Sequence, residues 1–187
     1  DNFSTFSGRS NDARSSQGQC SFALFEGTTD YGEMLICDGA NKPFFFKMTG
    51  TGALADRTFF ASEITVDSTT APTVGVIHEN HFVVGGAPTA KNKIFFSATL
   101  DPDSFSGTGS GSIQLTDAIV GLASFRSDLI IFCKNSIFKL INISDSSNIA
   151  IVPITQNVGC LDGNSIQEIG GDLLFLSPDG IRTVAGT

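Results

Sequence analysis

At 187 residues the chain is long enough for one ordinary domain or two small ones, and can bury a core without disulfides or metals to staple it. Hydrophobic residues make up 41% and charged residues 16%, which excludes a disordered chain. The apolar runs at 129–133 and 173–176 are far too short for a membrane-spanning helix, and a net charge of −8 argues against ordinary nucleic-acid binding.

Residues 1–20 are polar and Ser-rich, with no apolar stretch of the kind a signal peptide needs. They are expected to form an extended arm or a ring-closing strand. With no initiator Met, the chain is expected to be a piece of a longer polypeptide. From there on, 17 Phe and 20 Gly beside one Tyr and no Trp suit short buried strands joined by tight turns. The scarcity of Trp and Tyr counts against an exposed aromatic binding face.

The strands are predicted in repeating hairpins. Glu33 precedes Met34-Leu35-Ile36-Cys37, with a return at Asn41-Lys42-Pro43-Phe44-Phe45. Val74, Ile77 and Asn80 precede Phe82-Val83-Val84, with a return at Asn92-Lys93-Ile94-Phe95-Phe96. Asp128 precedes the run 129–132, which turns at Lys134-Asn135-Ser136; Asp172 precedes the run 173–176, which turns at Pro178-Asp179-Gly180. These last two copies align without a gap at an offset of 44 residues, starting from Leu122 and Ile166. The anchors Glu33, Asn80, Asp128 and Asp172 are spaced 47, 48 and 44 residues apart. Further strands are predicted at 58–61 with 64–66, at 112–115 with 118–120, and at 149–154.

A strand-type repeat of about 40–50 residues is the mark of β-propeller blades. The fold class expected is therefore all-β, with propeller-like blades of antiparallel strands forming an incomplete part of a larger propeller; a β-sandwich is the alternative. Repeats are placed near 21–70, 71–118 and 119–163, with a partial one at 164–187. No segment holds a helical apolar period over ten residues.

Chemical motifs are sparse. Cys20, Cys37, Cys133 and Cys160 form no CxxC pair and are expected to be small buried hydrophobes in a reducing compartment. His78 and His81 read as one strand entry, where residues three apart point to opposite faces, which disfavours a two-His metal site. Asp101-Pro102-Asp103-Ser104 reads as a turn rather than a calcium loop, because no downstream acidic ligand completes it. The stretch 107–112 is Gly-rich but lacks a phosphate-loop lysine and is expected to be a flexible surface loop. Ser177-Pro178-Asp179-Gly180 loosely resembles the Asp-box turn of propeller sialidases, without its aromatic and with a departure at the Gly position. No GxSxG elbow exists. No catalytic, cofactor-binding or metal-binding residue is nominated, and no enzymatic activity is expected.

Three phrases over about residues 75–184 resemble the propeller-containing tail tube proteins of short-tailed bacteriophages, also called nozzle or tubular proteins. The first is Asn92-Lys93-Ile94-Phe95-Phe96-Ser97 followed by Asp101-Pro102-Asp103-Ser104-Phe105. The second is Asp117-Ala118-Ile119 with Leu122 and Phe125-Arg126, leading into 129–132 and Ser136-Ile137-Phe138. The third is Gly159-Cys160, Asn164-Ser165-Ile166 and the stretch 175–181. The chain departs from the family in carrying Phe where Trp or Tyr is usual in the return strands. The resemblance implies a structural virion component, assembled in the bacterial cytoplasm as a homo-oligomeric ring, commonly a hexamer. It implies adaptor and fibre proteins as partners and a channel that passes DNA without binding it specifically. An intracellular adaptor propeller and a carbohydrate-active propeller are the alternatives.

Overall fold

A computed structural model of the chain describes residues 20–26, 32–49, 58–67 and 71–186. It is all-β, built as four antiparallel sheets, none of them closed on itself. Sheet 1 comprises β1 (Ser21–Phe25), β2 (Glu33–Cys37), β3 (Phe44–Thr49) and β4 (Thr58–Glu63). Sheet 2 comprises β5 (Val74–His78), β6 (His81–Gly85), β7 (Lys93–Phe96) and β8 (Gly111–Gln114). Sheet 3 comprises β9 (Ile119–Phe125), β10 (Asp128–Cys133), β11 (Ile137–Ile141) and β12 (Ala150–Thr155). Sheet 4 has three strands, β13 (Gln167–Ile169), β14 (Asp172–Ser177) and β15 (Gly180–Thr183). Within every sheet the spatial order is the chain order.

The second strands explain the apolar runs. A strand with both faces covered reads as a continuous hydrophobic stretch, because alternate side chains enter different interfaces. In β10, Leu129 and Ile131 enter the cluster shared with Val83, Ile94 and Phe96 of sheet 2. Their neighbours Ile130 and Phe132 point the other way, into the cluster shared with Leu173 and Phe175 of sheet 4. In β6, Phe82 and Val84 join Leu35, Cys37 and Phe45 of sheet 1. The four sheets are thus stacked face to face, and each of the three spaces between them holds its own apolar cluster.

Each second strand begins with a polar residue: Glu33, His81, Asp128 and Asp172, spaced 48, 47 and 44 residues apart. This corrects the anchor expected at Asn80, which lies in the turn before β6. Glu33 pairs with Lys47 of the third strand at 3.3 Å, and Asp128 pairs with Lys139 of its third strand at 3.3 Å. The hairpins entering these strands are two-residue turns in sheets 2, 3 and 4, at Glu79-Asn80, Arg126-Ser127 and Gly170-Gly171. Glu79 and Asn80 adopt φ of 46° and 63°, and Gly170 and Gly171 adopt 64° and 82°, the left-handed angles such turns require.

A second device recurs between sheets. The end of each of the first three second strands, or the loop after it, hydrogen-bonds to the chain entering the next sheet. Gly39 N donates to Pro72 O at 2.9 Å, Ile119 N to Lys91 O at 2.8 Å, and Cys160 N to Cys133 O at 2.9 Å. At the third of these joints a side chain on Gly159 would overlap the backbone of Lys134 and Asn135. Asp117 reinforces the joint between sheets 2 and 3: its Oδ2 accepts from Asn135 N at 2.6 Å and from Ser136 Oγ at 2.8 Å.

Several expected elements move. The stretch 64–66 is not a strand; β4 ends at Glu63. Of the stretch 118–120, Ile119 and Val120 belong to β9, the first strand of sheet 3, rather than to a fourth strand of the preceding repeat, and Ala118 lies just before it. The Gly-rich stretch 107–112 is a closed turn, with Ser110 N and Ser110 Oγ both donating to Gly107 O, and it runs directly into β8. The arm expected at 1–20 lies outside the described residues except for Cys20. No helix among the described residues is long and apolar enough to cross a membrane.

Candidate functional site

The first strands of sheets 1, 2 and 3 lie side by side, β5 touching both β1 and β9, and the short turn 163–165 before β13 meets β9. Along them runs an open cleft of about 700 Å³, with all four sheets contributing to its walls. Ser21, Val74, Gly121 and Gln167 mark the contribution of each sheet in turn. The far wall needs glycine. A Cβ on Gly121 would collide with the Ile166 side chain, and one on Gly163 would collide with Val120 O, so β9 and the short turn 163–165 pack backbone against backbone.

The polar groups of the cleft are largely committed to their own turns. Asp38 Oδ1 accepts from Ala40 N and Asn41 N at 3.1 and 2.8 Å. Asp162 Oδ1 accepts from Asn164 N and Nδ2 at 2.9 and 3.0 Å. These carboxylates shape loops. Cys20 also lines the cleft and is exposed, contrary to the expectation that all four cysteines are buried; Cys37, Cys133 and Cys160 are buried and all four are free thiols. Burial pushes the Cys133 thiol up to about 12 and raises that of Cys160 too, so neither is poised as a thiolate.

The two histidines occupy different strands, which overturns the reading of a single strand entry. His78 ends β5, His81 begins β6, and they are cross-strand partners on one face of sheet 2. Both are buried and both reach sheet 3. His78 Nδ1 lies 2.8 Å from Ser124 Oγ of β9. His81 Nδ1 lies 2.6 Å from Ser97 O, a pure acceptor, so this nitrogen donates. The hydroxyls at Nε2 are Thr99 at 3.2 Å and Ser144 at 3.3 Å, and Ser144 Oγ is also 3.3 Å from Glu79 Oε2.

A hydroxyl, an imidazole and a carbonyl in line is the arrangement that can activate a nucleophile. Here Thr99 and Ser144 share one imidazole nitrogen, Ser144 also faces Glu79, and the cleft lies elsewhere. The network fastens the β5–β6 turn to sheet 3. Burial lowers the His78 pKa, against the opposing pull of Glu79 and Asp128.

The other sequence candidates are turns. Ala98 N donates to Ser104 O and Ser104 N to Asp101 O, closing the 98–104 loop as a turn. The hydrogen bond with Asp103, then burial, push the Asp101 carboxyl up to about 6. Asp179 accepts from Ser177 Oγ and from both Arg182 Nε, at 2.9 Å, and Nη2, holding the β14–β15 turn. No group of three or more His, Cys, Asp or Glu among the described residues could hold a metal ion. The cleft itself escapes sequence reading, although Gly39, Gly75, Gly121 and Gly163 along it are a visible signal of close approach by other segments.

Comparison with models of known protein families gives no match, and comparison with curated proteins gives none either.

Proposed function

We propose that the chain is a structural component of a short-tailed bacteriophage tail, its four sheets acting as blades of a β-propeller in the nozzle or tube. Support for the propeller comes from four consecutive antiparallel sheets stacked face to face, with their first strands gathered along one cleft. Radial repetition of open four-stranded sheets, as in a propeller, leaves only short, protected strand edges.

The observation that carries the functional reading is where the three tail-tube phrases fall. Asp117-Ala118-Ile119 and Ser136 make the joint between sheets 2 and 3. Gly159-Cys160 makes the joint between sheets 3 and 4, and Asn164-Ser165-Ile166 forms the turn that packs on β9. Phe95 and Phe96 of the first phrase fill the clusters on either side of sheet 2. The residues of the resemblance therefore build the rigid frame, which suits a protein whose work is architectural. In this reading the copies form a homo-oligomeric ring, adaptor and fibre proteins contact its surfaces, and the net charge of −8 keeps DNA from adhering to the conduit.

The test is made on particles. Peptides of this chain should be found in purified short-tailed virions at a fixed copy number, and antibody raised against it should mark the tail by electron microscopy. A chain abundant in infected lysate and missing from purified particles would overturn the proposal.

A further inference from the structure

In each sheet the last facing pair before the turn into the second strand joins the end of the first strand to the start of the second. These pairs are Phe25–Glu33, His78–His81, Phe125–Asp128 and Ile169–Asp172. Sheets 1, 3 and 4 set an apolar residue against a carboxylate, whereas sheet 2 sets imidazole against imidazole. In sheets 1 and 3 the carboxylate pairs with a lysine of the third strand, Lys47 or Lys139. In sheet 2 the equivalent group, His81, takes instead the backbone carbonyl of Ser97, just beyond the third strand. Histidine is the side chain whose ordinary charge change falls between about pH 5 and about pH 8.

The pair ends the interface between sheets 2 and 3. Val76 faces Val83 across β5 and β6, and both pack in the apolar cluster with Leu122 and Leu129 of sheet 3. His78 and His81 continue that row two residues further along each strand, and both are buried. The two rings differ in what a second proton would meet. At His81 Nε2, the Ser144 hydroxyl can accept from the ring and donate to Glu79 Oε2, which passes the charge to a carboxylate. His78 has Nδ1 on Ser124 Oγ of β9 and, among the described residues, no hydrogen-bond partner at Nε2. A neutral ring fits there by donating from Nδ1. A cationic ring carries a proton on both nitrogens, and the one on Nε2 would be buried without an acceptor. The charged and titratable groups around His78 are Glu79 of the turn, Asp128 of β10 and His81 of β6. Asp128 is already engaged by Lys139 of β11, and burial outweighs the pull of the two carboxylates.

We propose that His78 is an acid-released latch between sheets 2 and 3: on gaining a proton it frees the tip of the β5–β6 hairpin from β9 and opens this end of the interface, while the other interfaces stay closed. In the open form the ring reaches water, where both nitrogens find acceptors and the charge is solvated. Acid favours that form because the solvated ring binds a proton more readily than the buried one, and the gain begins below about pH 6.5. Return to neutral pH closes the latch again, since the apolar pairs beside it, Val76 and Val83, hold the two sheets in register. The device rests on the packing of sheets 2 and 3 and does not depend on the tail reading.

The experiment is amide hydrogen exchange on the 187-residue chain at about pH 7.5 and about pH 5.5, corrected for the pH dependence of exchange in an unfolded chain. Exchange in β5, β6 and β9 is expected to rise by up to about tenfold for each pH unit below about 6.5, with β14 unchanged and full recovery on return to neutral pH. His78→Gln, which is neutral at every pH, is expected to abolish the rise. A second measurement needs no substitution: an NMR titration of the two imidazoles in the unaltered chain, in which the rise should track proton uptake by His78. Protection that acid leaves unchanged overturns the proposal. So does a rise that persists in His78→Gln, one spread equally over all four sheets, or one that tracks His81 instead. None of these outcomes bears on whether the chain is found in virions, so the two proposals fail separately.

Discussion

His78 is where a single side chain makes the stability of the molecule depend on pH. Buried against Ser124, it is held below the ordinary histidine pKa, so the folded chain binds a proton less readily than the unfolded one. The stabilisation is complete above the unfolded value of about 6.5 and is lost as pH falls below it toward the lowered folded value. Melting temperature should therefore drop between about pH 7 and about pH 5, and His78→Gln should flatten that drop. Parallel pH profiles for the two proteins would assign the effect to another group. The residues His78 and His81 are easy to notice in the sequence, but their relation is not. The turn between them is Glu79-Asn80, lacking the glycine that usually announces a two-residue hairpin, so they read as one strand when they form two.

At the level of the strand, the chemistry that makes the apolar runs conspicuous also makes them ambiguous. A strand with one polar face fixes its own register, because a one-residue slip would bury the wrong set. In β10 both sets are apolar, so the burial pattern cannot choose between them. The choice falls to the polar residue at the start of the strand and to the joints: the Asp128–Lys139 pair and the hydrogen bonds of Asp117 to the β10–β11 turn. Leu129, Ile131, Leu173 and Phe175 were legible as core because they lie in two runs aligned by the repeat; which neighbour each run faced was not, since that depends on how the sheets stack. Ile131→Asp places a charge between sheets 2 and 3 with no partner, and should cost more than about 3 kcal/mol, beyond the ordinary range for point substitutions. Chemical denaturation measures it. An unchanged midpoint would mean that Ile131 does not sit in the interface.

For the molecule as a whole, coverage of the sheets grades their stability. Among the described residues sheet 3 is covered on both faces and sheet 4 on one, so amide hydrogen exchange should be slowest in β10 and faster in β14, with the edge strand β15 faster still. Equal protection of β10 and β14 in the isolated chain would show that the outer face of sheet 4 is already covered. The period near 44 residues was visible in the sequence because hairpin chemistry repeats with it. The stacking and the cleft were not, because they depend on backbone approaches at glycines such as Gly121 and Gly163, whose meaning appears only when distant segments meet. The joints carry a consequence for synthesis. Because each turn captures the segment that enters the next sheet, every interface between sheets can be completed as soon as the chain just beyond it has left the ribosome. Among the described residues each interface joins sheets that follow one another in the chain, so the growing protein can lock in place one layer at a time, first made to last made.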